Sequence, residues 1–265
     1  MVRYILVTLI LFSTVSRNCS GQINAKQFKV KQLQNIYFSD FNFKDQIVRY
    51  NFSRLFTQTD NSMIYGFIGN HYQRIRIKFL SVTKDSSLAN TYKVHGKSMV
   101  KNNINDFYGN IIITNIRKQK QMSFGVDGKY KNKGIKGQYV IIGDYIFSEN
   151  RNQKYSGIFK GSFDSSFYID KNDKIVYDNI DLDSDGYTNN EFVGEWRDST
   201  TNITKVCNWG DYRIPESGDL DIGAGEFSPN DKYLQFGWQS LRDKSSQTSP
   251  NLKKGNQIKE VEWWQ

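Results

Sequence analysis

From Met63 onward the chain alternates, and this alternation limits its fold more than any other feature. In Arg74–Val82 (RIRIKFLSV), Ile75, Ile77 and Phe79 alternate with Arg74, Arg76 and Lys78. That period of two puts one face of a β-strand in a core and the other in water. Tyr92–Val100, Phe107–Ile116, Gln138–Phe147 and Tyr155–Ile169 read as further strands, then Phe192–Asp198, Thr204–Trp209, Tyr233–Leu241 and a terminal Gln257–Trp264. Turn signals separate them, among them Asp127-Gly128, Lys171-Asn172-Asp173, Asp185-Gly186 and Pro229-Asn230-Asp231. About ten strands so spaced, with little helical patterning between them, predict an all-β antiparallel barrel or sandwich.

Glycines within the strands choose between the two. Gly66, Gly69, Gly96, Gly109, Gly143, Gly157, Gly161, Gly194 and Gly237 stand among β-formers. Glycine weakens a strand but permits the coiling and bulges that closing a sheet requires. A closed or nearly closed β-barrel is the first expectation and a two-sheet β-sandwich the alternative. With 38% hydrophobic and 15% aromatic residues, the 265-residue chain has material for a large core, which excludes disorder over most of its length. A 24% charged fraction without heptads excludes a long coiled coil.

The N-terminus points to a compartment. Arg3 precedes an apolar run, Tyr4–Phe12, and small and polar residues follow from Ser13 to Gly21. This is the pattern of a secretory signal peptide over residues 1–21, because a spanning helix needs about 20 apolar residues. Cleavage after Gly21 removes Arg3 and Arg17 and lowers the net charge from +9 to +7. A lipoprotein signal with a lipid anchor on Cys19 is the alternative, although Asn18 stands where such signals want a small residue. In the mature chain Cys207 is then alone, so no internal disulfide can form. Residues 22–60 are mixed, with one amphipathic helix readable at Asp45–Phe56. Residues 61–241 make the barrel or sandwich domain, and 242–265 a polar loop ending in a strand or docking tail.

Two stretches, Tyr92–Ile116 (YKVHGKSMVKNNINDFYGNIIITNI) and Cys207–Leu241, resemble segments of uncharacterised secreted proteins of Bacteroidetes-type bacteria. The SGIFKGSF and YIDKND runs near Ser156–Asp173 fit the same group. The resemblance covers about Met63 to Leu241 and implies a bacterial, extracytoplasmic home, with no catalytic residues to carry over. Gly194-Glu195-Trp196 is similar to the G-x-W triplet of calycin barrels such as lipocalins. There it marks the first strand, whereas here it falls late, so the similarity implies architecture only.

The candidate metal site is Asp181-Leu182-Asp183-Ser184-Asp185-Gly186-Tyr187. Three carboxylates at alternating positions of a turn can converge on Ca²⁺, with Tyr187 offering its carbonyl and Glu191 a further candidate one place before the twelfth position. Phe192 occupies the place of the bidentate glutamate of an EF-hand, so a solvated acidic turn with no cofactor is the leading expectation and Ca²⁺ the alternative. Asp211, Glu216, Asp219, Asp221 and Glu226 could supply the carboxylate pair of a glycosidase, or be ordinary loop residues. His71 and His95 are too few for a histidine metal site. Gly96-Lys97-Ser98 lacks the earlier glycine of a phosphate loop, and Cys207 reads as a buried small hydrophobe. Arg117, Lys118, Lys120, Lys129, Lys131, Lys133 and Lys136 crowd one stretch that could meet anionic glycans or lipid headgroups, or stand solvated. Trp196, Trp209 and Trp238 could line a ligand cavity or fill the core.

No motif assigns an activity. The leading expectation is a secreted or periplasmic, non-enzymatic β-protein that binds a small molecule, glycan or partner protein. No nucleic acid partner and no transmembrane span are expected. The alternatives are a secreted glycan hydrolase using carboxylates in 211–226, and a structural envelope component. An open cavity behind Trp196 and Trp238 would favour an interior ligand, and a filled interior beside an exposed apolar patch the structural reading.

Overall fold

The structure, a computed structural model, describes residues 24–247 and 262–265. The expected signal peptide and the stretch 248–261 lie outside the described residues. In chain order the elements are α1 (Ala25–Leu33), α2 (Lys44–Ile47), β1 (Ile64–Ile68), β2 (Gln73–Lys84), β3 (Thr91–Val100), β4 (Asn103–Lys118), β5 (Gly137–Glu149), β6 (Gly157–Ile169), β7 (Ile175–Tyr177), β8 (Asn189–Asp198), β9 (Thr204–Asp211) and α3 (Gln239–Gln247). β1 to β6 pair antiparallel in succession, β6 pairs with β8, β8 with β9, and β9 returns to β1. Eight strands therefore close into an antiparallel barrel. β7 stands outside the ring, paired with the end of β6 at Phe167–Tyr177.

The interior is solid. Phe192 stacks on Trp209 with centroids 4.8 Å apart, Phe163 stacks on Phe192 at 5.4 Å, and Tyr145 meets Trp209 edge-on at 5.1 Å. Phe79, Phe107, Phe147 and Phe159 extend the cluster along the barrel, all of them buried. Small barrels fill their interiors by setting small residues against large ones. Here glycine is the small partner. A β-carbon on Gly143 would lie 2.5 Å from the Phe163 ring, and one on Gly157 would lie 2.3 Å from the Trp196 indole. Gly161 and Gly194 are register partners, and β-carbons on them would lie 2.7 and 2.5 Å from the Tyr145 hydroxyl.

The segment before β1 plugs one end. Phe52, Leu55 and Phe56, on a 3-10 turn at Ser53–Phe56, pack against Tyr92, Phe163 and Phe167. Asp45–Phe56 is thus not one helix. The Asn51 side chain accepts from the Ser53 amide at 3.0 Å, and the Lys84 ammonium donates to the Val48 and Tyr50 carbonyls. Local side-chain bonds of this kind compete with helix continuation. At the other end Glu149 accepts hydrogen bonds from the Gly157 amide (2.7 Å), the Trp196 indole (2.9 Å) and the Ser98 hydroxyl.

A second core lies outside the wall. Tyr65 and Phe67 of β1 point away from the barrel and meet Ile214, Leu220, Phe227 and Trp238. The expected strand at Tyr233–Leu241 is helical instead. Asn230 caps a 3-10 turn over Asp231–Phe236, Gly237 at φ +97° takes the left-handed conformation, and α3 follows. The terminal Glu262–Gln265 is a turn that docks, with Trp264 under the Lys78 ammonium and the Trp263 indole donating to Asn61.

This packing fixes how changes at Tyr145, Gly194 and Cys207 should act. The buried Tyr145 hydroxyl meets no hydrogen-bond partner among the described residues, and such a group costs about 1–3 kcal/mol. Tyr145→Phe should therefore leave stability unchanged or raise it by about 1 kcal/mol in urea titration, whereas Gly194→Ala should lower it by about 1–3 kcal/mol through overpacking. Cys207 is free and fully buried, and burial pushes its thiol well above the usual range. A thiol reagent should label it only on unfolding, and dithiothreitol should leave the melting temperature unchanged.

Candidate functional site

The exposed apolar surface of the N-terminal segment is the most site-like feature, and backbone bonds hold it out. Asn24 opens α1 with a capping box, its side chain accepting from the Gln27 amide while Gln27 accepts from the Asn24 amide, each at 3.0 Å. The helix ends near Gln34, and Asn35 turns the chain by accepting from the Tyr37 amide at 3.0 Å. The chain then runs beside the end of β4. The Lys120 amide donates to the Tyr37 carbonyl (2.9 Å), the Ser39 amide to Lys118 (2.8 Å) and the Phe43 amide to Ile116 (2.7 Å). Arg117 adds bonds to the Ser39 and Asp40 carbonyls. Ile36 and Tyr37 are consequently fixed in solvent at 74% and 71% exposure, with Phe41 and Val30 exposed nearby in sequence.

Two open grooves meet at Ile36. One, of about 850 Å³, runs along α1 past Lys26, Gln27, Val30 and Gln34. The other, of about 570 Å³, passes Tyr37, Gln119, Lys120 and Gln121. Neither lining contains an aspartate or glutamate.

α1 owes its position to the wall beneath it, the outer faces of β5, β6 and β8. Phe28 is buried, Lys29 pairs with Asp144 at 2.6 Å and Lys31 with Glu216 at 2.9 Å. On this face Asp164 of β6 and Glu191 of β8 are cross-strand partners. Burial, and then the facing Glu191 carboxylate, push Asp164 well above the usual carboxylate range. Glu191 is raised by burial and by Glu216, against the lowering effect of Lys31. Two carboxyls so placed resist ionising together.

The other sequence candidates are scattered. Trp209 lies in the barrel centre and Trp196 at the Glu149 end, while Trp238 belongs to the second core, its indole donating to the Tyr72 carbonyl at 2.7 Å. In the acidic turn Asp181 accepts from the Ser123 hydroxyl (2.6 Å) and Asp183 pairs with Lys129 (2.8 Å). Asp185 lies against Gly225, the Tyr187 hydroxyl bonds the Asp178 carbonyl, and Glu191 faces Asp164 on the wall under α1. Among the described residues no three His, Cys, Asp or Glu side chains converge as a metal set.

Four of the carboxylates of 211–226, Asp211, Glu216, Asp219 and Asp221, also have separate partners. Asp211 is buried and accepts from Thr59 (2.7 Å), Tyr177 (2.8 Å) and Asn190 (2.7 Å), and burial pushes it up to about 6. Asp221 pairs with Arg213 at 2.7 Å, Asp219 with Lys232, and Glu216 with Lys31. His95 stacks on Tyr108 and His71 on Phe236. In the basic stretch Lys129 pairs with Asp183 and Lys136 with Asp173, and Arg117 holds residues 39–40. No described carboxylate pairs with Lys120, which lines the groove.

The groove was missed in the sequence because Ile36, Tyr37 and Phe41 follow neither helical nor strand spacing. Its available signal was the Asn24–Gln27 pair, which marks a helix start. Among the described residues, no helix is long and apolar enough to cross a membrane. Comparison with protein-family models, with curated proteins and with solved structures returns no match.

The buried carboxyls of Asp211, Asp164 and Glu149 and the half-buried ones of Asp178 and Glu191 set a pH dependence. Asp211 and Asp178 are pushed up to about 6, and Asp164, Glu191 and Glu149 are raised as well, all chiefly by burial. A raised carboxyl keeps its proton in the folded state where the unfolded chain, near pH 4, has lost it. Its stabilising effect is complete below about pH 4 and disappears as pH rises through the folded value. For Asp211 this difference is worth roughly 3 kcal/mol. Differential scanning calorimetry should therefore give a higher melting temperature at pH 5 than at pH 8. Asp164→Asn should raise the value at pH 8 and shrink the gap. A melting temperature that climbs from pH 5 to pH 8 would contradict this account.

Proposed function

We propose that this protein is an exported, non-enzymatic β-barrel that binds its partner on the outer surface, at the grooves meeting at Ile36. The observation that carries the reading is the pairing of a filled interior with Tyr37 and Ile36 held in solvent. A ligand inside the barrel would have to displace the Phe192–Trp209 stack, whereas the grooves require no repacking. A fixed apolar patch beside polar groups is typical of an interaction site. Export rests on the Arg3 and Tyr4–Phe12 pattern and on the resemblance to secreted bacterial proteins.

The filled interior and exposed patch also favour a structural envelope component with no soluble ligand, for which the same surface would be the point of attachment. Photo-crosslinking in the native host tests the surface itself. A benzophenone amino acid at position 37 should give a discrete adduct, and the same probe at Ile203, exposed in the β8–β9 turn, should give none. No adduct at position 37, or equal adducts at both positions, would overturn the reading.

A further inference from the structure

We infer that the ligand of the two grooves is an anionic polysaccharide of the uronate class, an inference that rests on the outer-surface reading above. Charge is the first ground. Lysines line both grooves, Lys26 in one and Lys120 in the other, and no described carboxylate pairs with either; Lys31, also in the first lining, is matched by Glu216 at 2.9 Å and adds no free charge. The net charge of +7 expected of the mature chain, after Arg3 and Arg17 leave with the signal, adds long-range attraction for a polyanion.

The second ground is the kind of neutral group present. Gln27, Gln32, Gln34 and Asn35 line the first groove, and Gln119 and Gln121 the second. An amide side chain both donates and accepts, so a row of them suits vicinal hydroxyls, which do the same. Such a row does little for an acyl chain. Tyr37, at 71% exposure, offers a ring face on which the C–H face of a sugar can lie, with its hydroxyl free to bond. The third ground is shape. Two open grooves of about 850 and 570 Å³ that share Ile36 in their linings suit an extended chain better than a compact solute, and a repeating uronate carries carboxylates and hydroxyls along its length.

Isothermal titration of the mature chain with an oligogalacturonate hexamer tests this, beside a neutral cello-oligosaccharide of equal length and vesicles containing phosphatidylglycerol. The expected result is binding of the uronate with a Kd of about 0.1 mM, weakening as salt is raised, and none of the neutral oligomer. Tyr37→Ala and Lys120→Glu should each weaken it about tenfold, with melting temperatures unchanged because both side chains are exposed. Four outcomes overturn the inference: no heat of binding up to about 5 mM, equal affinity for the neutral oligomer, affinity indifferent to Tyr37→Ala, or binding to the vesicles alone. If the uronate fails while the position-37 photo-adduct still forms, the ligand class falls and the outer-surface reading stands. If both fail, both fall.

Discussion

Aromatic rings seated against glycine are the contact on which this fold depends. A closed eight-stranded ring has an interior wide enough for side chains but with no room to spare. Rings as large as Trp196 and Tyr145 fit only where the facing wall has no side chain. Gly161 and Gly194 lie side by side under Tyr145, and Gly143 and Gly157 make the same concession to Phe163 and Trp196. The residues that weaken the strands locally thus allow the barrel to close globally. Because the rings occupy the interior, the open grooves of the molecule lie on its outside.

The outside is covered unequally, and the coverings explain the buried polar groups. The chain after β9 lies on β1 and builds a second core around Trp238. α1 lies on β5, β6 and β8, and in doing so encloses Asp164 and Glu191 on a face that alternation would otherwise leave in water. Burying carboxyls is costly unless they are neutral or paired. Here one response is proton retention, and the other is the pair of lysines that α1 brings to Asp144 and Glu216.

The strands facing water on one side were legible from their alternation: β2 to β6, β8 and β9 each overlap an expected run. β1 (IYGFI) was not, because Gly66 and Ile68 face the barrel while Tyr65 and Phe67 enter the second core, leaving no polar face. Trp238 alternates with its neighbours as a strand residue would, yet Gly237 breaks the extended run. The acidic turn showed its carboxylates plainly but not their partners, since Ser123 and Lys129 come from the β4–β5 connection. Asp164 and Glu191 are separated by a whole excursion through β7, and only the pairing of β6 with β8 reveals them as neighbours. Local pattern reports which face of a strand is apolar. It is silent about which other segment will cover that face.

The anchoring of α1 also bears on when the groove can exist. Lys29 reaches a partner 115 residues away and Lys31 one 185 residues away, and the Tyr37 carbonyl is held by Lys120. During synthesis residues 24–41 emerge before β4, β5, β6, β8 and the loop at Glu216 exist to receive them. Contacts of such long sequence separation form late, because loop closure must precede them. A chain whose ring has not closed lacks part of the wall of β5, β6 and β8 on which α1 rests. If a partner docks there as proposed, it would meet this surface on finished barrels and not on unfinished ones, and the surface would report completion of the fold.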